Sequence, residues 1–229
     1  MAITQRDIDQ VYSDLKGLHC GVKEDYFGLL YLEQEFGVER KQAVRQVAFG
    51  GNDYGFDAFH IDPNKRNLYL FQFKWTTSYT QFKSSFQRLI DDGMERIFGN
   101  PTQDQKMNQL LAQLKSKLIE DQALVDRILI YFVFNGDTGD AERSTVLDAL
   151  RESLEGKKYL IDQFFGRQVS LVIEFRSART KQVGGITHHR RTYTYDLEIE
   201  DILERIGPND ERMYVGFVRL INLHGMYLV

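Results

Sequence analysis

Gly50-Gly51-Asn52-Asp53-Tyr54-Gly55-Phe56-Asp57-Ala58-Phe59-His60-Ile61 leads through Asp62-Pro63-Asn64-Lys65-Arg66-Asn67 into Leu68-Tyr69-Leu70-Phe71-Gln72-Phe73-Lys74-Trp75. The apolar residues from Phe56 to Ile61 read as a strand. Residues 62–67 have turn chemistry, and Leu68 to Trp75 read as a second strand. Paired symmetrically about Asn64-Lys65, the two make a hairpin that sets Asp57 near Gln72. Residues two apart on a strand share a face, so Gln72 and Lys74 point the same way. A carboxylate, an amide and an amine then converge on one patch of an apolar strand. Polar groups in such a place call for a reason.

Metal-assisted phosphodiester hydrolysis is one such reason. Magnesium takes hard oxygen ligands and keeps several waters. Asp57 is the candidate anionic ligand, and the backbone carbonyl of Phe73 a neutral one. Gln72 is a weaker ligand than a carboxylate. Lys74 is placed to orient the attacking water and to stabilise charge on the phosphate. A further carboxylate would help, and the preceding helix offers Glu24, Asp25, Glu33 and Glu35. The plainer alternative is that an Asp among glycines shapes a turn and that Gln-x-Lys is a solvated face.

Outward from the hairpin, apolar residues at steps of three and four predict helices over 3–15 and 23–36, the latter stopped by Gly37. Similar spacing predicts helices over 82–97, closed by Gly99-Asn100-Pro101, and over 107–118 and 141–154. Arg127 to Asn135 is an apolar run of the kind found in buried central strands. Further strands are expected at 169–175 and 192–197, a short helix at 198–206, and an apolar stretch at 214–220. Interleaved helices and strands imply an α/β fold, a mixed sheet flanked by helices. No repeat or linker interrupts it, so residues 1–229 are expected to form a single domain.

Composition excludes several classes. A chain of 229 residues with 42% hydrophobic and 27% charged residues is neither disordered nor fibrous. No run of about eighteen apolar residues is present to span a membrane. The segment Met1 to Asp7 carries no secretory signal, and the one cysteine, Cys20, has no partner for an internal disulfide. A cytoplasmic protein with no membrane partner is expected. The formal charge of −4 does not advertise general nucleic-acid binding, so any such contact must use a local basic face. From Phe175 to Tyr195 there is no acidic residue, while Arg176, Arg179, Lys181, Arg190 and Arg191 cluster around Gly184-Gly185. This reads as a basic hairpin for a DNA backbone, with Lys41, Arg45, Lys83 and Arg88 adding to it. His188-His189 would point to opposite faces of a strand, which argues against joint ligation of a metal. No zinc spacing, phosphate-binding loop, serine elbow or dinucleotide fingerprint is present. The apolar end from Ile221 to Val229 suggests a piece of a longer protein.

Asp53-Tyr54-Gly55-Phe56-Asp57-Ala58 followed by Leu70-Phe71-Gln72-Phe73-Lys74 resembles the PD-(D/E)xK nuclease superfamily. The likeness is to its Mrr-like branch, where Gln replaces the acidic residue of the second motif. The longer phrase from Gly50, with Ile61-Asp62 and Leu68-Tyr69-Leu70, is similar to the N-terminal nuclease region of AIPR (abortive infection phage resistance) proteins. The resemblance covers about 22–75 by motif and reaches 128–134 by pattern. It implies a restriction-endonuclease-like fold with a core of about 22–176, and a basic hairpin and extension over 177–229 leading toward a further C-terminal region. It implies a Mg2+- or Mn2+-dependent DNA endonuclease of anti-phage or restriction defence. Asp57 would be a metal ligand, Gln72 the second-motif residue, Lys74 the catalytic lysine and Glu24 the helix acid. Cleavage of both strands would favour a homodimer. Two rival readings are a non-catalytic nucleic-acid-binding domain and a protein-interaction module of a larger defence protein.

Overall fold

The computed structural model describes residues 2–19, 21–50, 54–99 and 109–179, and the backbone of two strands at 200–206 and 212–217. The chain divides into two compact units, Met1–Lys181 and Gln182–Val229.

In the first unit, α1 (Gln5–Leu15), α2 (Asp25–Phe36) and α3 (Arg40–Ala43) precede the hairpin of β1 (Ala58–Asp62) and β2 (Asn67–Lys74). Then come α4 (Lys83–Arg88), α5 (Met94–Phe98), α6 (Gln109–Asp121) and β3 (Arg127–Phe134). The unit closes with α7 (Thr138–Glu142), α8 (Thr145–Glu155), α9 (Lys158–Phe165) and β4 (Ser170–Ser177). The sheet order is β1-β2-β3-β4, with β1 antiparallel to β2 and the other pairs parallel. The fold is therefore α/β with a mixed sheet flanked by helices. Register runs from Ala58 opposite Phe71 to Asp62 opposite Asn67, which centres the hairpin on Asn64-Lys65 as the sequence suggests.

The two central strands are buried on both faces, which explains their nearly unbroken apolar sequence. Even-numbered side chains of β2 and β3, such as Leu70, Ile130 and Phe132, pack with Phe86, Leu114 and Ile161 of the later helices. Phe86 stacks on Phe132 with ring centroids 3.8 Å apart. Odd-numbered side chains, such as Phe71, Phe73 and Tyr131, pack with Val11, Phe27 and Tyr31 of α1 and α2. The buried hydrophobic residues of this layer begin at Ile3. The Thr4–Asp7 capping box opens α1, and Gly37 at φ 65° closes α2 in the left-handed region.

In the second unit, β5 (Glu200–Ile206) and β6 (Arg212–Phe217) form an antiparallel pair. The short helix expected over 198–206 is therefore a strand. The strand expected at 192–197 lies outside the described residues. Among the described residues, no helix is long and apolar enough to cross a membrane.

Candidate functional site

Asp57 sits one residue before β1 and is fixed from both sides. Its carbonyl accepts the Ala48 N–H at 2.7 Å, and its own N–H donates to the Phe71 carbonyl at 2.6 Å. A single bridge joins Val47 to Ala58 on the outer edge of β1. Beyond Ala58 the ladder stops, so the Phe73 N–H needs another acceptor. Oδ2 of Asp57 fills that role at 2.7 Å, and the same oxygen accepts Gln72 Nε2 at 2.5 Å. Gln72 is only 3% exposed, and its Nε2 also approaches the Phe73 carbonyl at 3.4 Å. The Asp57, Gln72 and Phe73 groups thus converge at the end of β2, as the hairpin register requires. Lys74 follows on the same face as Gln72 and is partly exposed. Its Nζ has no hydrogen-bond or ion-pair partner among the described residues.

The loop ahead of Asp57 is seated on a helix. Tyr54 and Gly55 take φ values of 52° and 92°, a region that suits glycine. A Cβ at Gly55 would lie 2.7 Å from the Ser85 carbonyl and 2.8 Å from the Leu89 nitrogen. Between α4 and α5 the chain widens into a π-helical turn, Leu89–Gly93, and Gly93 lies directly against the Tyr54 carbonyl. Arg96 covers the Tyr54 ring at 3.9 Å. The close approach of Gly55 is to the backbone of this helix.

The acids of α2 divide clearly. Glu24 is exposed at the N-cap position and makes no side-chain cap bond. It belongs to the layer that packs on the odd-numbered face of β2, opposite the face of Gln72 and Lys74. No hydrogen bond joins the Glu24 side chain to Asp57, Gln72 or Phe73 among the described residues. Asp25 instead reaches toward the loop, its Oδ2 accepting the Val22 and Gly50 N–H groups at 3.0 and 3.1 Å. Glu33 is held by Arg40 through two hydrogen bonds of 2.6 and 2.9 Å, and Glu35 is exposed.

The basic residues divide as well. Arg176 is 8% exposed, lies over the Tyr131 ring at 4.4 Å and pairs with Glu174. Its guanidinium is taken up inside the fold, so it does not stand on the surface as the expected phosphate contact. Burial in this cluster pushes the Tyr131 hydroxyl up to about 12. Arg179 is exposed beyond the end of β4 and donates to Asn135 Oδ1 at 3.0 Å. With Lys74 it lies at the carboxyl ends of the parallel strands, where α/β sheets commonly bind ligands. Lys181, Arg190 and Arg191 lie outside the described residues.

Among the described residues no group of three or more His, Cys, Asp or Glu side chains could hold a metal ion. The oxygen donors at the end of β2 are the Asp57 carboxylate, the Gln72 amide oxygen and the Phe73 carbonyl. They are hard donors of the kind that Mg2+ or Mn2+ accepts, with water completing the shell. For Gln72 to take part, its amide must turn, because its nitrogen now faces Asp57. No family model, curated protein or solved structure matches the chain.

Proposed function

We propose that the protein is a metal-dependent endonuclease acting on DNA in anti-phage or restriction defence. One observation carries the reading: Asp57 and Gln72 meet at the end of β2, with Lys74 next along the same face. Asp57, Gln72 and the Phe73 carbonyl would hold Mg2+ or Mn2+. When bound, such an ion lowers the proton affinity of water and offsets phosphate charge. The Phe73 N–H fixes the Asp57 carboxylate in place before substrate arrives. Lys74 Nζ orients the attacking water and stabilises the negative charge that builds on the phosphate oxygens. Arg179, at the same end of the sheet, would contact a neighbouring phosphate.

The test is cleavage of supercoiled plasmid with Mg2+ or Mn2+ by wild type, Asp57→Asn and Lys74→Ala. Loss of cleavage in both variants, by at least about 100-fold, is the expected result. Cleavage that survives both substitutions would overturn the assignment. A second reading, a nucleic-acid-binding domain without catalysis, is favoured by the single carboxylate among these donors. It predicts DNA binding at low salt with no cleavage by wild type.

A further inference from the structure

A cleft of about 820 Å3 opens between the end of α1, the α3 region, the Val47–Phe49 segment and the start of α6. Its volume falls in the range of small-ligand sites, about 300–1,000 Å3. No Asp or Glu is among the described residues that line it. Lys41 and Arg45 are exposed on its rim and have no hydrogen-bond or ion-pair partner among the described residues. Arg40, also on the rim, is already held by Glu33. One wall carries the stacked rings of His19 and Phe49, with centroids 4.8 Å apart. Gln109 and Gln113 also line the cleft, and a glutamine amide both donates and accepts hydrogen bonds.

We propose that this cleft binds a nucleotide, its phosphate at Lys41 and Arg45 and its base against the His19–Phe49 pair. A cationic rim with an aromatic wall suits an anion that has a flat, weakly polar body. The two glutamine amides suit the mixed donor and acceptor edge of a base. The ligand is a free mononucleotide or the phosphorylated end of a strand, which present the same chemistry. The site does not rest on the nuclease reading, since its side chains are distinct from Asp57, Gln72 and Lys74.

Isothermal titration of the full chain tests this with the four ribonucleoside monophosphates and a 5′-phosphorylated dinucleotide. Inorganic phosphate and the matching nucleoside are the controls. At least one nucleotide is expected to bind about tenfold or more tighter than either control. Lys41→Ala and Arg45→Ala should each weaken it by about tenfold. Tighter binding of the dinucleotide identifies the end of a strand; equal binding identifies the free nucleotide. The proposal is overturned if no nucleotide binds, if phosphate alone binds equally well, or if both rim variants bind like wild type.

Discussion

Gln72→Glu tests the end of β2 most directly. Gln72 Nε2 now donates to Asp57 Oδ2 at 2.5 Å from a position 3% exposed. A glutamate there replaces the donor with a second carboxylate. Two such charges relaxed to about 4 Å repel by about 4 kcal/mol at an effective dielectric constant of about 20. That repulsion raises one folded-state carboxyl pKa by about three units, from about 4.3 to about 7. The sign follows from linkage. A folded pKa raised above the unfolded value contributes stability below about pH 4, which is lost as pH rises through about 7. The variant should therefore approach wild type near about pH 4 and fall short of it by about 2–4 kcal/mol near about pH 8. A divalent ion bound between the two carboxylates reverses the deficit, by about 2.7 kcal/mol at a hundredfold excess over its dissociation constant. Urea unfolding followed by circular dichroism, with chelator or with Mg2+, measures each quantity. Gln72→Met serves as the uncharged control. A variant with the wild-type pH dependence would show that the two side chains do not share the site. A deficit near pH 8 that Mg2+ leaves untouched would refute the metal assignment.

Three further outcomes are expected. Gly55→Ala should destabilise by about 2–4 kcal/mol in urea unfolding, because it strains a positive φ and drives a Cβ into the backbone at Ser85 and Leu89. Phe86→Ala removes a fully buried ring stacked on Phe132, and the same assay should show a loss of about 3–5 kcal/mol. Hydrogen bonds from Arg66, then Arg167, hold the Asp126 carboxyl down at about 2. The stability it contributes is present above the ordinary carboxylate range and lost as pH falls through about 2. Asp126→Asn should therefore flatten acid unfolding monitored by circular dichroism in that window.

The hairpin was legible because turn chemistry at 62–67 leaves little freedom in how its arms pair, and the register then dictates that Asp57 meets Gln72. The strand of residues 127–134 was legible from its unbroken apolar run. Residues 198–206 misled because Ile199, Ile202, Leu203 and Ile206 fall at helical spacing, while pairing with β6 makes the segment a strand. No element was expected at α9, although Leu160, Ile161, Phe164 and Phe165 recur at helical spacing before Gly166 at φ 64°. Arg176 misled for a different reason. The acid-free window opens at Phe175, one residue after Glu174, the partner that neutralises it. Two opposite charges two positions apart on a strand share a face, and that spacing was the available signal. Which side of the sheet the Asp25–Phe36 helix covers is not legible in its sequence, since apolar residues occur on several of its sides; its packing against Phe71 and Phe73 shows it.

The contact of Gly55 with Ser85 and Leu89, and of Gly93 with Tyr54, has a mechanical consequence. The position of Asp57 is set two residues upstream by a helix that enters the chain about thirty residues later. Because backbone meets backbone there, no side chain is left to absorb a shift between them. A displacement of that helix would have to be taken up by the chain at Tyr54 and Gly55, immediately ahead of the carboxylate.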